Sequence, residues 1–335
     1  MAENKQYRYD LHVHSANSDG RLTLPKTALL AARRGLSGFA VTDHTYSPSP
    51  RMMDGVRKAL QGTPYEDQVD IFPGGELDFW HNGVHGHASL IASPIENLTI
   101  LEKKLIYLRH KDPNIDYLIH WARDNMLALV FNHPAQPGLS GFSLDAINDG
   151  CEQTKYKGAV GVEVLSGTSH VAFPAAFRVS ESKIRQSAKD NGLAPIAGSD
   201  THLPVTLGRV YTVVSAHGPM HTPQDRFENL LLCMAARETY PKSDLGDLST
   251  MELGFNRVMI AINEAAKVLG RKLIPDVDTK KYDPFQPGRL FMVLTRQMSL
   301  SDYQETLSLK AEQRKCLKAL VCEIRARQAQ TVFVK

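Results

Sequence analysis

Short apolar runs and longer helix-like segments alternate along the first two thirds of the chain. Seven runs have the length and composition of β-strands, and polar or metal-capable residues adjoin them. These runs are residues 9–11, 38–41, 70–73, 87–91, 127–131, 159–164 and 194–197. Strands that alternate with helical segments are typical of parallel βα units, so the pattern predicts an α/β fold.

Helix start and stop signals occupy several of the intervals between these runs. Pro25 opens a segment that Gly35 closes, and residues 112–113 resemble an N-cap followed by proline in the first turn. Residues 222–225 resemble a capping box, which predicts a helix through residue 236. The helix that follows Pro174 is expected to end at the Asn191-Gly192 pair.

The alternating pattern ends near residue 240. Beyond it, residues 251–269 and 300–327 are helix-like and are joined by a stretch at 275–288 that contains proline and glycine. We therefore expect two parts: a barrel domain at residues 1–240 and a helical C-terminal extension at 241–335 that packs on its flank.

Composition and charge give no support by themselves to nucleic-acid or membrane partners. The chain has 335 residues with a formal net charge of +3, from 39 basic and 36 acidic residues. That balance does not indicate binding to nucleic acid or to an anionic membrane. The terminal helix-like segment is basic, but interspersed glutamates make a solvated face the favoured interpretation over a nucleic-acid stripe.

Cysteine spacing and hydropathy indicate the cellular compartment of the protein. The four cysteines have no paired or CxxC spacing, which argues against a disulfide framework or a zinc ribbon. The first residues carry charges and no apolar core, and no apolar run is long enough to cross a bilayer. We expect a soluble cytoplasmic protein; the sequence does not indicate its oligomeric state.

Candidate chemistry comes from the histidines, several of which adjoin the predicted strands. His12 and His14 are two apart in an extended segment, so both imidazoles point to one side and can bind the same metal ion. Asp200 and His202 share that spacing after the seventh run. One such histidine would be an ordinary packing or solvated residue, but ligand-type residues at every strand predict a metal site at one end of a barrel.

Six short motifs occur in a characteristic order. They are Asp10-Leu11-His12-Val13-His14-Ser15, Ser18-Asp19-Gly20, Thr42-Asp43-His44, Gly75-Glu76, Asn132-His133-Pro134 and Ser199-Asp200-Thr201-His202. Over residues 8–215 this series resembles the PHP (polymerase and histidinol phosphatase) family. The resemblance implies a distorted (β/α)7 barrel of the PHP type, followed here by the helical appendage, and a centre of up to three metal ions.

The resemblance also implies which residues bind each ion. The first ion would take His12, His14, Glu76 and Asp200; the second Glu76 as a bridge, His87 and His133; the third Asp19, His44 and His202. Asp19 stands where some relatives have histidine. His81 and His85 lie near His87, around a stretch that resembles a hairpin, and the apolar run after His87 favours His87.

Two further carboxylates and several cations complete the implied site. Asp43 and Glu163 are expected just outside the ligands, where carboxylates orient imidazoles. Phosphate-binding candidates in the loops are Arg51, Arg178, Arg209 and His170.

The expected reaction is hydrolysis of a phosphate ester. The donor set suits two or three divalent ions of manganese, zinc or iron. Closely spaced ions lower the pKa of a bridging water, so hydroxide is the expected nucleophile and no side chain is assigned that role. The chain shows no P-loop cysteine or nucleophile elbow. The favoured substrate is a phosphomonoester of a small metabolite, such as a nucleotide or sugar phosphate.

Three alternatives stay open. A phosphodiesterase or exonuclease acting on nucleotide or nucleic-acid ends is one, although no aromatic and basic interleaving supports it. An amidohydrolase is less favoured, because no strand end offers the metal-bridging lysine common in that class. A non-enzymatic interaction module with a vestigial metal site is disfavoured by the nearly complete ligand set.

Overall fold

The structure is a computed structural model that describes residues 5–44, 48–94, 96–111, 113–134, 143–152, 158–172, 174–202 and 204–247. Strands and helices alternate through these segments. In chain order they are β1 (Gln6–Val13), α1 (Leu24–Arg33), β2 (Gly38–Val41), α2 (Pro50–Leu60), β3 (Asp70–His81), β4 (Val84–Ile91), α3 (Leu98–Arg109), α4 (Ile115–Asp124), β5 (Ala128–Phe131), α5 (Leu144–Glu152), β6 (Val160–Ser166), α6 (Gly167–Ala172), α7 (Pro174–Asp190), β7 (Ala194–Gly198), β8 (Val210–Ser215), α8 (Pro223–Ala236) and β9 (Thr239–Ser243).

Within this part of the chain the strands form one sheet in the order β7-β6-β5-β4-β3-β2-β1-β8-β9. Neighbours pair in parallel from β1 to β3 and from β5 to β7, while β4 is antiparallel to both β3 and β5. All seven predicted strands are present, so the mixed α/β class is confirmed. The prediction of only parallel units is wrong at β4. The sequence interpretation also missed β8, which pairs antiparallel to β1, and β9, which pairs antiparallel to β8.

The reversal at β4 follows from the turn that precedes it. Asn82 and Gly83 have positive φ angles of 49° and 76°, as in the two-residue turns that join antiparallel strands. A parallel connection needs a crossover of a dozen or more residues, which this turn does not supply. The hairpin expected at residues 80–85 is therefore confirmed.

The two ends of the sheet's parallel region meet, so the sheet is nearly closed into a barrel. The backbone N–H of Asp200 donates to the carbonyl oxygen of His12 at 2.8 Å, and Val13 forms a parallel bridge with Thr201. Lower down, the N–H of Ala197 donates to Thr212 Oγ1 at 2.8 Å. These contacts join the end of β7 to β1 and β8.

Large apolar side chains fill the interior below that closure. The buried interior cluster includes Tyr9, Leu11, Ala40, Phe72, Ile91, Val130, Ile196 and Val214, which come from β1 to β5, β7 and β8. Phe227, Leu230 and Met234 on α8 pack against them from beneath. Since apolar side chains occupy this lower part, polar groups inside the barrel are confined to its upper end.

The helix signals agree with the structure in most places. The capping box at Thr222 and Asp225 is present, and α7 ends before Gly192, which has a φ of 58°. The start of α4 lies two residues later than predicted, because Asn114 caps it by accepting a 2.8 Å hydrogen bond from the N–H of Tyr117. Asparagine is as good an N-cap as aspartate, so the position rather than the mechanism was wrong.

The described chain continues slightly past the expected domain boundary at residue 240. Strand β9 crosses it, and a short 3-10 helix follows at Leu245–Asp247. The remainder of the predicted helical extension, 248–335, lies outside the described residues. Among the helices that are described, none is both long enough and apolar enough to cross a membrane.

Candidate metal centre

An irregularity in β1 points two histidines into the barrel. Leu11 belongs to the interior cluster, whereas Val13 packs with α1 and α2 on the outside. Between Asp10 and Val13 the register of β1 with β2 shifts, as at a β-bulge. Because of this shift, the side chains after Leu11 change sides of the strand. His12 and His14 therefore both point into the upper end of the barrel, above the apolar interior that contains Leu11.

Asp10 fixes this part of β1, a role that the sequence interpretation missed. Its Oδ1 accepts a 2.8 Å hydrogen bond from the N–H of Ser199, and its Oδ2 accepts one of 2.9 Å from the N–H of Gly208. Burial raises the pKa of Asp10 to about 7, although the hydrogen bonds from Gly208 and Ser199 oppose that shift. The carboxyl group ties the His12 strand to the loops on either side of the Asp200 motif.

The four residues implied for the first ion lie together. His12 Nε2 is 3.1 Å from His14 Nε2 and 3.6 Å from Asp200 Oδ1, and His14 Nε2 is 3.4 Å from the same oxygen. Glu76 contributes Oε1 at 3.5 Å from His12 Nε2 and Oε2 at 3.4 Å from His14 Nε2. Burial lowers the pKa of His14 to about 4, so its imidazole is neutral and has a lone pair for a metal.

The group implied for the third ion lies beside His14. His202 Nε2 is 2.8 Å from Asp19 Oδ2, and His44 Nε2 is 3.5 Å from the same oxygen. His14 Nδ1 lies 3.6 Å from Asp19 Oδ1, so His14 contacts both groups. The carboxylate of Asp19 thus lies between the imidazoles of His14, His44 and His202.

The residues implied for the second ion converge on one oxygen of Glu76. His133 Nε2 and His87 Nδ1 are each 3.5 Å from Glu76 Oε1. Because β4 is antiparallel, its beginning lies at the barrel end where the parallel strands finish, which explains why a histidine near the start of a strand joins the cluster. His133 has a φ of 28°, a sparsely populated backbone conformation of the kind that is concentrated at functional sites.

Glu76 is the centre of the arrangement and tests whether the cluster fits a cation. It is fully buried, and its Oε2 accepts no hydrogen bond although His44 Nδ1 lies 3.0 Å away. Burial alone would raise the pKa of Glu76, but the imidazoles of His44, His12 and His87 hold it well below its usual range. A buried carboxylate needs a positive partner, so this environment fits a metal ion.

The spacing of the donor atoms supports the same conclusion. Nitrogen and oxygen ligands about 2.0–2.2 Å from one ion lie roughly 3.0–3.6 Å apart. Most contacts around Glu76 and Asp200 fall in that interval. The residues present therefore fit divalent cations, and no ion is part of the structure.

Glu163 and Asp43 hold the ligands from outside in different ways. Glu163 Oε1 lies 3.2 Å from His12 Nδ1, so this carboxylate orients an imidazole. Asp43 instead accepts hydrogen bonds from the N–H of Ser15 at 2.7 Å and the hydroxyl of Ser18 at 2.6 Å. It fixes the loop that contains Asp19, so its structural contacts differ from those expected.

The hairpin of β3 and β4 rises above the rim with a second, smaller group that the sequence interpretation did not include. Asp78 Oδ1 is 2.8 Å from His85 Nε2 and 3.1 Å from His87 Nε2. Trp80, half exposed, packs against the ring of His85 at a tilt, with the ring centroids 4.9 Å apart. Alternation along β3 from Glu76 could have indicated this group, since positions 76, 78 and 80 share one face.

The cationic candidates come from different elements of the fold. Arg51 is exposed in the first turn of α2, and the side chain of Arg178 lies outside the described residues. Arg209 lies beside Arg34, which donates to the carbonyl of Pro204 at the end of the outer helix α1. Arg209 follows Gly208, whose N–H donates to Asp10. His170 is partly buried on α6.

Comparisons with known proteins agree with the motif series. The PHP-associated family model, PHP_C, matches residues 181–231. A two-domain protein from Bacteroides vulgatus that contains a predicted PHP-like metal-dependent phosphoesterase has a similar structure, with a TM-score of 0.50 and 18% identity. That match covers 72% of this chain and 66% of the other, so the chain spans slightly less than two thirds of that protein.

Two further solved structures show lower similarity. PsfC from Pseudomonas syringae has a TM-score of 0.48 and 18% identity over 76% of this chain and 99% of its own. A candidate metal-dependent phosphoesterase from Bifidobacterium adolescentis has a TM-score of 0.46 and 16% identity over 73% and 100%. No curated protein matches the chain. The family-model match and the Bacteroides fold confirm the resemblance to the PHP family.

Proposed function

We propose, from its PHP-family fold and its ligand cluster, that the protein is a metal-dependent phosphoesterase acting on a phosphomonoester of a small metabolite. The observation that carries the proposal is the environment of Glu76. Its buried carboxylate is surrounded by imidazole nitrogens of His12, His14, His44 and His133, which all approach within 3.5 Å. Burying a carboxylate among so many imidazole nitrogens costs free energy unless cations bind there.

The bound ions would be divalent, and manganese, zinc and iron suit the mixture of donors. The ligand groups implied by the family resemblance would hold up to three ions: His12, His14, Glu76 and Asp200; Glu76, His87 and His133; Asp19, His44 and His202. When bound, such ions supply Lewis acidity and lower the pKa of water for attack on phosphorus. The comparison with a predicted PHP-like metal-dependent phosphoesterase supports this reaction class.

The chain's own residues would prepare the site rather than react. Glu163 and Asp10 fix the histidine strand, and Asp43 fixes the loop that carries Asp19. No side-chain nucleophile is required by this arrangement. Phosphate charge would be neutralised mainly by the ions, with Arg51, Arg178, Arg209 and His170 as the candidate side-chain contacts.

A phosphodiester at a nucleotide end is the second candidate, and Trp80 favours it. Its indole is 48% exposed on the hairpin face that leads down to Glu76. An exposed aromatic ring near a phosphate site can stack on a base. The formal charge of +3 gives no support to binding along a long nucleic acid, so any such substrate would be short.

The test is hydrolysis by protein reconstituted with manganese, zinc or iron. Phosphomonoesters of nucleotides and sugars would be compared with phosphodiesters such as bis-p-nitrophenyl phosphate, and wild type with His14→Ala. We expect turnover of monoesters that His14→Ala loses by at least about 100-fold, because that imidazole contacts two ligand groups. Absence of turnover of both ester classes, or an equally active variant, would overturn the proposal and favour a non-enzymatic module.

A further inference from the structure

We propose that Asp78, on the rim hairpin, is a positioning residue that holds His87 in the orientation needed to bind the second metal ion. The inference rests on the metal centre proposed above. It concerns a carboxylate that lies outside all three ligand groups and that contacts the cluster through His87. Asp78 is half exposed, whereas the side chain of His87 is only 15% exposed.

The two nitrogens of His87 face different partners. Nδ1 points at Glu76 Oε1, 3.5 Å away, and Nε2 points at Asp78 Oδ1, 3.1 Å away. A neutral imidazole has one N–H and one lone pair. If Nε2–H donates to Asp78, the lone pair is on Nδ1 and faces the oxygen that His133 also approaches. The hydrogen bond to Asp78 thus selects the tautomer that the second ion requires.

Exposure argues against the other use of the same residues, a separate cation site on the hairpin. The side chains of Asp78 and His85 are 51% and 31% exposed, whereas those of Glu76 and His14 are at most 1% exposed. Water can solvate the Asp78 carboxylate, so this group does not need a cation as the buried Glu76 does. A neutral His87 also cannot offer both nitrogens to metal ions.

His85 makes Asp78 a fixed acceptor rather than a mobile surface group. Its Nε2–H donates to the same Oδ1, and its ring packs at a tilt against that of Trp80, with the centroids 4.9 Å apart. The ring of His85 also meets the edge of His87 at 5.2 Å. Cross-strand pairing places Asp78 opposite His87 and Trp80 opposite His85, so the β ladder itself sets this geometry.

The opposite side of the centre has a buried counterpart. Glu163 Oε1 lies 3.2 Å from His12 Nδ1 and leaves His12 Nε2 facing Glu76 and Asp200. Two imidazoles of the cluster are therefore each held by a carboxylate on the nitrogen that points away from Glu76. This repetition supports a positioning role for Asp78.

The experiment measures metal binding, so it does not depend on finding the substrate. Metal-free wild type, Asp78→Ala and Asp78→Asn would be titrated with Zn²⁺ and Mn²⁺ by calorimetry and chelator competition, with stoichiometry from elemental analysis. His133→Ala identifies the binding event of the second ion. The matched control is Asp149→Ala, since Asp149 pairs with His81 on the same hairpin at 2.9 Å and is equally exposed.

We expect Asp78→Ala to weaken about 10- to 100-fold the one binding event that His133→Ala lacks, without change in the others. Asp78→Asn, which keeps an acceptor oxygen, should lose less, and Asp149→Ala should match wild type. Thermal unfolding of the metal-free proteins should agree among all these Asp variants, which separates positioning from a folding defect.

Two results would overturn the proposal. One is an unchanged affinity for the second ion in Asp78→Ala. The other is loss, in both Asp78→Ala and His85→Ala, of a binding event that His133→Ala retains, which would show that the hairpin binds a cation itself. Neither result concerns ester hydrolysis, so failure here and failure of the proposed function are distinguishable.

Discussion

Glu163 accepts a 2.8 Å hydrogen bond from the backbone N–H of His133. Its other oxygen faces His12 Nδ1, so one buried carboxylate fixes the backbone of one ligand and the ring of another. Because these two histidines belong to different groups of the proposed metal centre, Glu163 would couple the geometry of the first and second proposed ion sites.

Replacement of Glu163 by glutamine should therefore weaken metal binding while the fold is kept. We expect about 10- to 100-fold lower affinity for the event that His12→Ala lacks, because the neutral amide no longer supports the imidazole as a strong donor. Asp190→Asn removes an exposed carboxylate on α7 that pairs with Gln186, and serves as the control. Calorimetric titration with Zn²⁺ measures the difference; equal affinities would contradict this role.

Gly198 should not tolerate even a methyl group. A Cβ there would lie 2.5 Å from His12 Cβ and 2.7 Å from Glu163 Oε1. We expect Gly198→Ala to cost about 1–3 kcal/mol in the free energy of unfolding and to weaken metal binding, because the His12 strand must move. Gly246→Ala is the control, since nothing lies within 4 Å of its added carbon. Urea denaturation and metal titration would show an effect in Gly198→Ala only.

The ion pair between Arg226 and Asp70 should matter for stability and not for metal binding. It is bidentate, with contacts of 2.5 and 2.8 Å, and joins α8 to the start of β3. Arg226→Ala leaves the buried Asp70 without its partner, at a cost of about 3–5 kcal/mol. Because the ion pair between Arg123 and Asp124 is exposed, we expect Arg123→Ala to change the free energy of unfolding by no more than roughly 0.5 kcal/mol. Equal losses in the two variants would contradict this ranking.

Cys233 should resist alkylation although no disulfide protects it. Burial raises the pKa of its thiol to about 11, with a smaller contribution from Glu238. At pH 8 very little thiolate forms, so iodoacetamide should modify native protein far more slowly than urea-unfolded protein. A peptide-resolved time course measures both rates, and similar rates would contradict the prediction.

The same shift has a definite sign in stability. Folding raises the Cys233 pKa above the unfolded value of 9.0, so the stabilising effect is present below pH 9. It should disappear as the pH rises from 9 towards 11, where the unfolded chain releases the proton first. Cys233→Ala should flatten that part of a stability profile measured by urea denaturation.

The sequence predicted the strands better than their directions. Apolar runs at β1 to β7 are short and bounded by polar residues, so periodicity finds them. The direction of β4 depends on Asn82 and Gly83, whose turn geometry outweighs the expectation of parallel units. Strands β8 and β9 were overlooked because the motif series ends before them, although residues 210–215 have β-type composition.

For the candidate site, spacing indicated which residues could meet but not how. The pair His12 and His14 follows from two-residue periodicity, yet the bulge that turns both inward has no sequence signal of its own. Asp43 is expected just outside the ligands, but its bonds to Ser15 and Ser18 could not be derived from the motifs, nor could those of Asp10 to the N–H groups of Ser199 and Gly208. Alternation from Glu76 places Asp78 on the same face of β3, but its contact with His87 depends on the register between β3 and β4.

The antiparallel ladder between β3 and β4 has an architectural consequence. A wall made from a hairpin can grow or shrink at its tip by matched pairs of residues, while the pairing of Glu76 with Ser89 and of Asp78 with His87 stays in register. A loop between parallel strands cannot lengthen or shorten by matched pairs of residues in this way. The height of the entrance to the barrel can thus vary independently of the geometry at its floor.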